Sequence, residues 1–177
     1  MPNLDVSAHT PETAIPTDRP LPLVRTQVAA DWIDYNGHMT EHRYLQVFSE
    51  TTDSLLARVG VDADYVGAGH SYYTVETHLR HLGQARAGED LTCATQILHV
   101  DAKRLHVFHT LHISGGADTP VATAEQMLIH VDAVPERAVP VHLEVRKRLE
   151  KILTAQSSLS LPEAAGRAVR APSRPDP

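Results

Sequence analysis

The chain has 177 residues, 42% hydrophobic and 21% charged, with a formal net charge of −6. That length holds one domain with tails, and the negative balance excludes nucleic acid or an anionic membrane as the main partner. No apolar run approaches the roughly 18 to 20 residues of a membrane span, and the opening MPNLDVSAHTPETAIP lacks the features of a secretory signal. The single cysteine, Cys93, excludes an internal disulfide and a multi-thiolate metal site, which points to a reduced, cytoplasmic setting.

Proline position divides the chain. Five of the 12 prolines fall at or before Pro22 and seven at or after Pro120, with none between. Residues 1–21 lack apolar periodicity and read as a flexible arm. Residues 155–177, rich in Ala, Ser, Pro and Arg, read as a disordered tail. The folded unit is expected over 22–154.

Within it, 23–30 reads as a strand leading into the turn Asp34-Tyr35-Asn36-Gly37. Thr40 suits a helix N-cap, with Glu41 matching the dipole of the first turn. Tyr44, Phe48, Leu55 and Val59 recur at helical spacing until Gly60 ends the stripe. Segments 71–79, 90–100, 104–113 and 121–132 read as strands, the later ones joined by hairpin-like turns. A last helix is expected over 143–153, with Arg146, Lys147, Arg148 and Lys151 on a solvated face. One long helix followed by an antiparallel meander predicts an α+β fold, a sheet wrapped around a single helix.

The densest polar cluster, residues 31–40, joins strand to helix. Backbone N–H groups at a helix start can hold an oxyanion, and a carboxylate just before them can act as base or nucleophile on a carbonyl. Plain turn chemistry also accounts for Asp, Asn and Gly here.

The run Asp34-Tyr35-Asn36-Gly37-His38-Met39-Thr40-Glu41-His42-Arg43-Tyr44 resembles the D-x-x-G-H-[VM]-N-x-x-x-Y signature of hotdog-fold acyl-CoA thioesterases of the 4-hydroxybenzoyl-CoA type. The resemblance continues through 69–76 and 87–91 and covers about 25–132. It implies a hotdog fold, Asp34 as the catalytic carboxylate, and an oxyanion site from the N–H groups near Gly37, His38 and Met39. Thr40 stands where the signature has asparagine, so the positioning role of that amide is unfilled or passes to Thr40 or Asn36. Segments 32–41, 44–48 and 101–109 are similar to the betainyl-CoA thioesterase group, which occurs alone or fused behind an L-carnitine dehydrogenase. No dinucleotide-binding glycine motif is present, so the stand-alone form is implied. The implied reaction is hydrolysis of betainyl-CoA to glycine betaine and CoA in carnitine degradation, with no cofactor. The family's pairing of sheets edge to edge implies a homodimer or a dimer of dimers.

Other residues are candidates for substrate contact. Five of the eight aromatics, Trp32, Tyr35, Tyr65, Tyr72 and Tyr73, lie in two segments expected to flank the turn, and aromatic faces attract quaternary ammonium ions. Glu50 could add a carboxylate. Tyr72 and Tyr73 must point to opposite faces of a strand, so one at most can face a pocket. Arg80, Arg86, Lys103 and Arg104 near strand ends are candidates for the CoA phosphates, or ordinary surface charges.

Twelve histidines invite a metal reading. His106, His109 and His112 alternate faces on a strand, and the two sharing a face lie about 20 Å apart. His38 and His42 have helical metal spacing, but His38 more simply orients the turn, and no metal is expected. Cys93 reads as a small core residue, and Ser71 lacks a G-x-S-x-G elbow. The alternatives kept open are another short or aromatic acyl-CoA, a hydratase (whose paired Asp and His are missing), and a non-catalytic acyl-CoA-binding protein.

Overall fold

The computed structural model describes residues 14–117 and 119–169. Strands β1 (Leu21–Gln27), β2 (His70–His81), β3 (Asp90–Val100), β4 (Arg104–Ile113), β5 (Ala122–Ala133) and β6 (Glu136–Ala138) form one antiparallel sheet, ordered β1-β3-β4-β5-β2, with β6 beside β5. The helices are α1 (Glu41–Arg58), the short α2 (Ala63–Gly67) and α3 (Leu143–Ala155), with a 3-10 turn at Ala30–Trp32. The α+β expectation holds, with the sheet curling around the 18-residue α1. No helix among the described residues is long and apolar enough to cross a membrane.

The helix ends follow from the sequence. Past the C-cap Val59, Gly60 adopts φ +95°. Its N–H reaches Ala57 O (3.0 Å) while that of Val61 reaches Leu56 O (2.9 Å), a Schellman closure that needs the left-handed residue. Arg148, expected on a solvated face, donates to Val59 O (3.2 Å) and so caps the end of α1.

The core divides in two. One cluster (Val28, Met39, Tyr44, Phe48, Leu91 and Leu111 among others) lies under the start of α1; the second (Leu55, Leu56, Leu105, Leu128, Leu149 and others) lies under its end with α3. Between them runs a buried polar belt. Thr52 Oγ1 donates to Gln126 Oε1 (2.7 Å), His109 Nε2 lies 3.1 Å from Thr52 Oγ1, and His109 Nδ1 lies 2.8 Å from Thr95 Oγ1. Because Gln126 Oε1, also 3.2 Å from His109 Nε2, only accepts, the proton sits on Nε2 and Thr95 donates to Nδ1. Burial pushes the His109 pKa down to about 4, so the ring is neutral.

The disordered tail expected from residue 155 does not hold for 156–166. Buried Gln156 uses its side-chain amide like one residue of a strand, accepting from Ile97 N–H (2.9 Å) and donating to Thr95 O (2.9 Å) where β1 has already ended. On the outer face, Gln96, Phe108 and Glu125 stand side by side across β3, β4 and β5. Gln96 binds Ser160 O (3.2 Å) and Glu125 accepts from Gly166 N–H (2.8 Å), so the chain crosses over Phe108, which is 4% exposed. His106 Nε2 holds the other side of Glu125 at 2.8 Å. Apolar Phe108 and Ala164 were hidden from a compositional reading. On the expected N-terminal arm, Thr17 O accepts from Ser158 Oγ (2.7 Å); residues 1–13 and 170–177 lie outside the described residues.

Candidate active site

The turn between the 3-10 segment and α1 is closed on itself. Asp34 N–H donates to His38 O (2.9 Å), Gly37 N–H to Asp34 O (3.0 Å), and Ile33 bridges Met39. Gly37 takes φ +79°, which is why glycine occupies the tip. The neck is fastened by Thr40, whose N–H and Oγ1 both donate to Trp32 O at 2.8 Å. Thr40 is the helix N-cap by position, but its side chain makes no capping bond. That corrects the capping expectation: the hydroxyl is spent on the neck instead.

The half-buried Asp34 carboxylate is held locally. Asn36 N–H donates to its Oδ1 (2.8 Å) and Asn36 Nδ2 approaches its Oδ2 (3.5 Å), so Asn36 orients both oxygens. The oxyanion assignment needs revision. Gly37 N–H is used inside the turn, and Met39 N–H donates to Ala85 O (2.8 Å). Among the described residues the N–H groups of His38, Glu41 and His42 make no backbone hydrogen bond outside the helix; the last two lie in the first turn of α1, which offers them no acceptor and where the helix dipole favours a developing negative charge. A carboxylate beside such donors can attack a carbonyl directly or activate water against it.

Two neighbours were given no role of their own from the sequence. Tyr44, part of the helical stripe and the last residue of the signature run, is 3% exposed and accepts from Ala85 N–H (3.1 Å). Its ring meets His81 edge-on at 4.9 Å, which places that end of β2 beside the turn. Burial raises the phenol's pKa, and the charges of Glu89 and Asp34 push the same way. Arg43 lays its guanidinium 5.4 Å from the Trp32 ring centroid and gives Nη1 to Gln46 Oε1 (2.7 Å).

The five aromatics are not brought together within one protomer. Trp32 lies at the turn but its face carries Arg43, and Tyr35 is 97% exposed. Tyr65 follows α1 at its far end, about 27 Å along the axis. Its hydroxyl lies 2.8 Å from His130 Nε2, and its ring packs against those of His70, His130 and His142. Tyr72 is buried against His130, and Tyr73 pairs opposite Ile129 at the same end of the sheet. Glu50 accepts from Gln46 Nε2 (2.8 Å) and lies about 14 Å along the helix from its start. Within one protomer the five aromatics form no single cage, because the two segments that carry them lie at opposite ends of α1.

The basic candidates split likewise. Arg80 and the exposed Arg86 are at the end of the sheet that carries the turn, the backbone of Arg86 tied to Glu89 Oε2 (2.7 Å). Lys103 and Arg104 lie in the β3–β4 turn at the opposite end, about 30 Å away at strand rise. There Lys103 Nζ donates to Ala138 O (3.1 Å), and Arg104 pairs with Asp101 at 2.6 Å. Asp101 is held well below the usual carboxylate range, chiefly by the Lys103 N–H. Among the described residues no group of three His, Cys, Asp or Glu side chains can hold a metal. Cys93 is fully buried, which pushes its thiol up to about 12.

A β1-β3-β4-β5-β2 sheet around one helix, with a carboxylate turn at the helix start, marks a protein of the hotdog-fold class. Residues 28–149 match the Thioesterase-like superfamily, and the chain belongs to it. It is 51% identical over 159 residues to the L-carnitine dehydrogenase/betainyl-CoA thioesterase of Rhizobium meliloti strain 1021, covering 90% of this chain but 32% of that one. It is 40% identical over 148 residues to the betainyl-CoA thioesterase of Pseudomonas aeruginosa PAO1, covering 83% of this chain and 92% of the relative. A solved structure from Pseudomonas putida KT2440, designated a thioesterase, superposes with a TM-score of 0.77 at 38% identity, covering 88% of this chain and 99% of the other.

Proposed function

We propose that this enzyme hydrolyses betainyl-CoA to glycine betaine and CoA, as a cytoplasmic step of carnitine degradation. The observation that carries this reading is the likeness to a stand-alone betainyl-CoA thioesterase over nearly its whole length, with Asp34 set at the helix start. The thioester carbonyl lies over the Glu41 and His42 N–H groups, and Asp34 serves as base or nucleophile while CoA leaves as the thiol. Arg80 and Arg86 are placed to meet the CoA phosphates.

The quaternary nitrogen of this acyl group is two bonds from the carbonyl carbon, so whatever recognises it must lie within a few ångströms of the reacting atoms. Asp34 meets that condition; Glu50, Tyr65 and Tyr72 of the same protomer do not. The electron-withdrawing ammonium activates the thioester, so the enzyme's task is selection.

The active unit is a homodimer, or a pair of such dimers, joined through β2. That strand is at the edge of the sheet, and Tyr73 to Thr77 are exposed in succession, with Val75 at 55%. An unpaired edge of this length invites a second strand.

The test is thiol release from betainyl-CoA beside its neutral isostere 3,3-dimethylbutyryl-CoA, with acetyl- and benzoyl-CoA for comparison. The expected result is a kcat/KM at least a hundredfold higher for betainyl-CoA than for the isostere. Equal rates would keep the thioesterase and discard recognition of the charge.

A further inference from the structure

We propose that Tyr44 is a positioning residue of the Asp34 turn, acting through Ala85 and Met39. This inference rests on reading that turn as the hydrolytic site.

The backbone of residues 34–39 bonds within itself and to its neck, and among the described residues it meets the chain beyond residues 32–40 at one hydrogen bond, Met39 N–H to Ala85 O (2.8 Å). The anchor is unusual in its setting. Residues 82–84 and 86–88 are all exposed, whereas Ala85 between them is fully buried. A buried residue in an exposed loop has few partners, so the fate of its two backbone groups decides whether it stays. Its carbonyl takes Met39, and its N–H goes to the Tyr44 hydroxyl at 3.1 Å.

Tyr44 stands in the first turn of α1, the same turn whose free N–H groups face the carbonyl. Its phenol therefore links the two parts that must stay in register during reaction: the helix start that holds the oxyanion and the loop that carries Asp34. Tyr44 touches neither substrate nor carboxylate. Without the hydroxyl, the Ala85 N–H is buried and unsatisfied, the 82–88 loop shifts to find water, and the outer tie of the turn slackens. Displacements near 1 Å cost roughly a hundredfold in rate when they misplace reacting groups. Ground-state binding, which depends on the CoA arm, is spared.

The experiment compares Tyr44→Phe with Thr95→Val on the acyl-CoA that the wild type hydrolyses fastest. Thr95→Val removes a buried hydrogen bond to His109 in the polar belt, away from the turn, and matches the loss of stability. For Tyr44→Phe we expect kcat to fall ten- to a hundredfold with KM within about twofold, while Thr95→Val keeps its kcat despite a similar fall in Tm. Unchanged kcat in Tyr44→Phe, a loss carried by KM, or an equal loss in Thr95→Val would overturn the proposal.

Amide hydrogen exchange on the wild-type protein gives a second readout that needs no variant to fold. The Ala85 and Met39 amides should be protected well beyond those of residues 86–88, and rapid exchange at Ala85 would reject the link. Failure of the hydrolytic reading itself looks different: Asp34→Ala would then match the wild type, whatever Tyr44→Phe does.

Discussion

The two ends of the helix α1 hold similar polar residues in opposite conditions. At its start, the half-buried Asp34 and the exposed Asn36 are fixed by short local bonds, and the first-turn N–H groups have no intrahelical acceptor. At its far end, Tyr65, His70, His130 and His142 stack within ring distances of 4.5 to 6.3 Å, and Tyr65, His70 and His130 are each engaged in hydrogen bonds. His70 pairs with Asp132 (2.9 Å), and His130 gives Nδ1–H to Val139 O (3.1 Å) while accepting from Tyr65. Burial holds the pKa of His130 down, and His142 and His70 lower it further. Close packing of titratable rings is thus not by itself a sign of chemistry where Tyr65, His70 and His130 already hold partners, although Tyr72 Oη beside them has none among the described residues; on the proposed reading the Asp34 end is the reactive one.

The sharpest way to break this contrast is at Asp34. Asp34→Ala should lower kcat/KM by roughly a thousandfold, read by thiol release, with Tm nearly unchanged because its hydrogen bonds to Asn36 are local and near the surface. The polar belt between the ends should govern acid stability. The unfolded imidazole binds a proton near pH 6.5, the buried His109 only near pH 4. Between those values the unfolded state holds more protons, so stability falls as pH drops from 6.5 to 4 and levels off below. His109 contributes on the order of 3 kcal/mol to that slope, and urea unfolding of His109→Gln across this range should show a flatter dependence.

At the far end, Tyr65→Phe should cost about 1 kcal/mol of stability for the hydrogen bond to His130, with kcat and KM unaltered. A loss of activity there would mean that the two ends communicate. The smallest effect separates the basic residues: Arg86→Ala should raise KM for acyl-CoA roughly fivefold by losing a phosphate contact, while Arg104→Ala, tied to Asp101, leaves it within twofold. Steady-state kinetics at fixed ionic strength checks the pair.

Much of the fold was legible because periodicity is a local property. The bounds of β3 and β4 follow from their flanking turns, and Gly60 ends α1 where the apolar stripe stops. Strand β1 was drawn three residues too long at its end: Val28 still bonds the 88–89 segment, Ala29 is extended outside the strand, and Ala30 already begins the 3-10 turn. The five-residue α2 and three-residue β6 were missed, since each spans fewer than two periods of its pattern and so shows no repeat. Asp34 and Asn36 were legible because an Asx turn keeps its chemistry within three residues. Ala85 was not, because backbone groups leave no mark on residue type. The aromatic set was grouped for a related reason: residue type does not say at which end of an 18-residue helix each of its two segments will settle.

The two borders of the sheet are built unequally. On one side β1 is seven residues long, carries Pro22, and hands its missing rung to the Gln156 amide. On the other, β2 runs for twelve residues with Tyr73 and Val75 uncovered. Proline and a short span are poor templates for a joining strand, while a long one with exposed Tyr73 and Val75 is a better one. On the proposed edge-to-edge pairing, a strand can therefore be added only along β2, and the blunted margin at β1 gives such growth no place to continue.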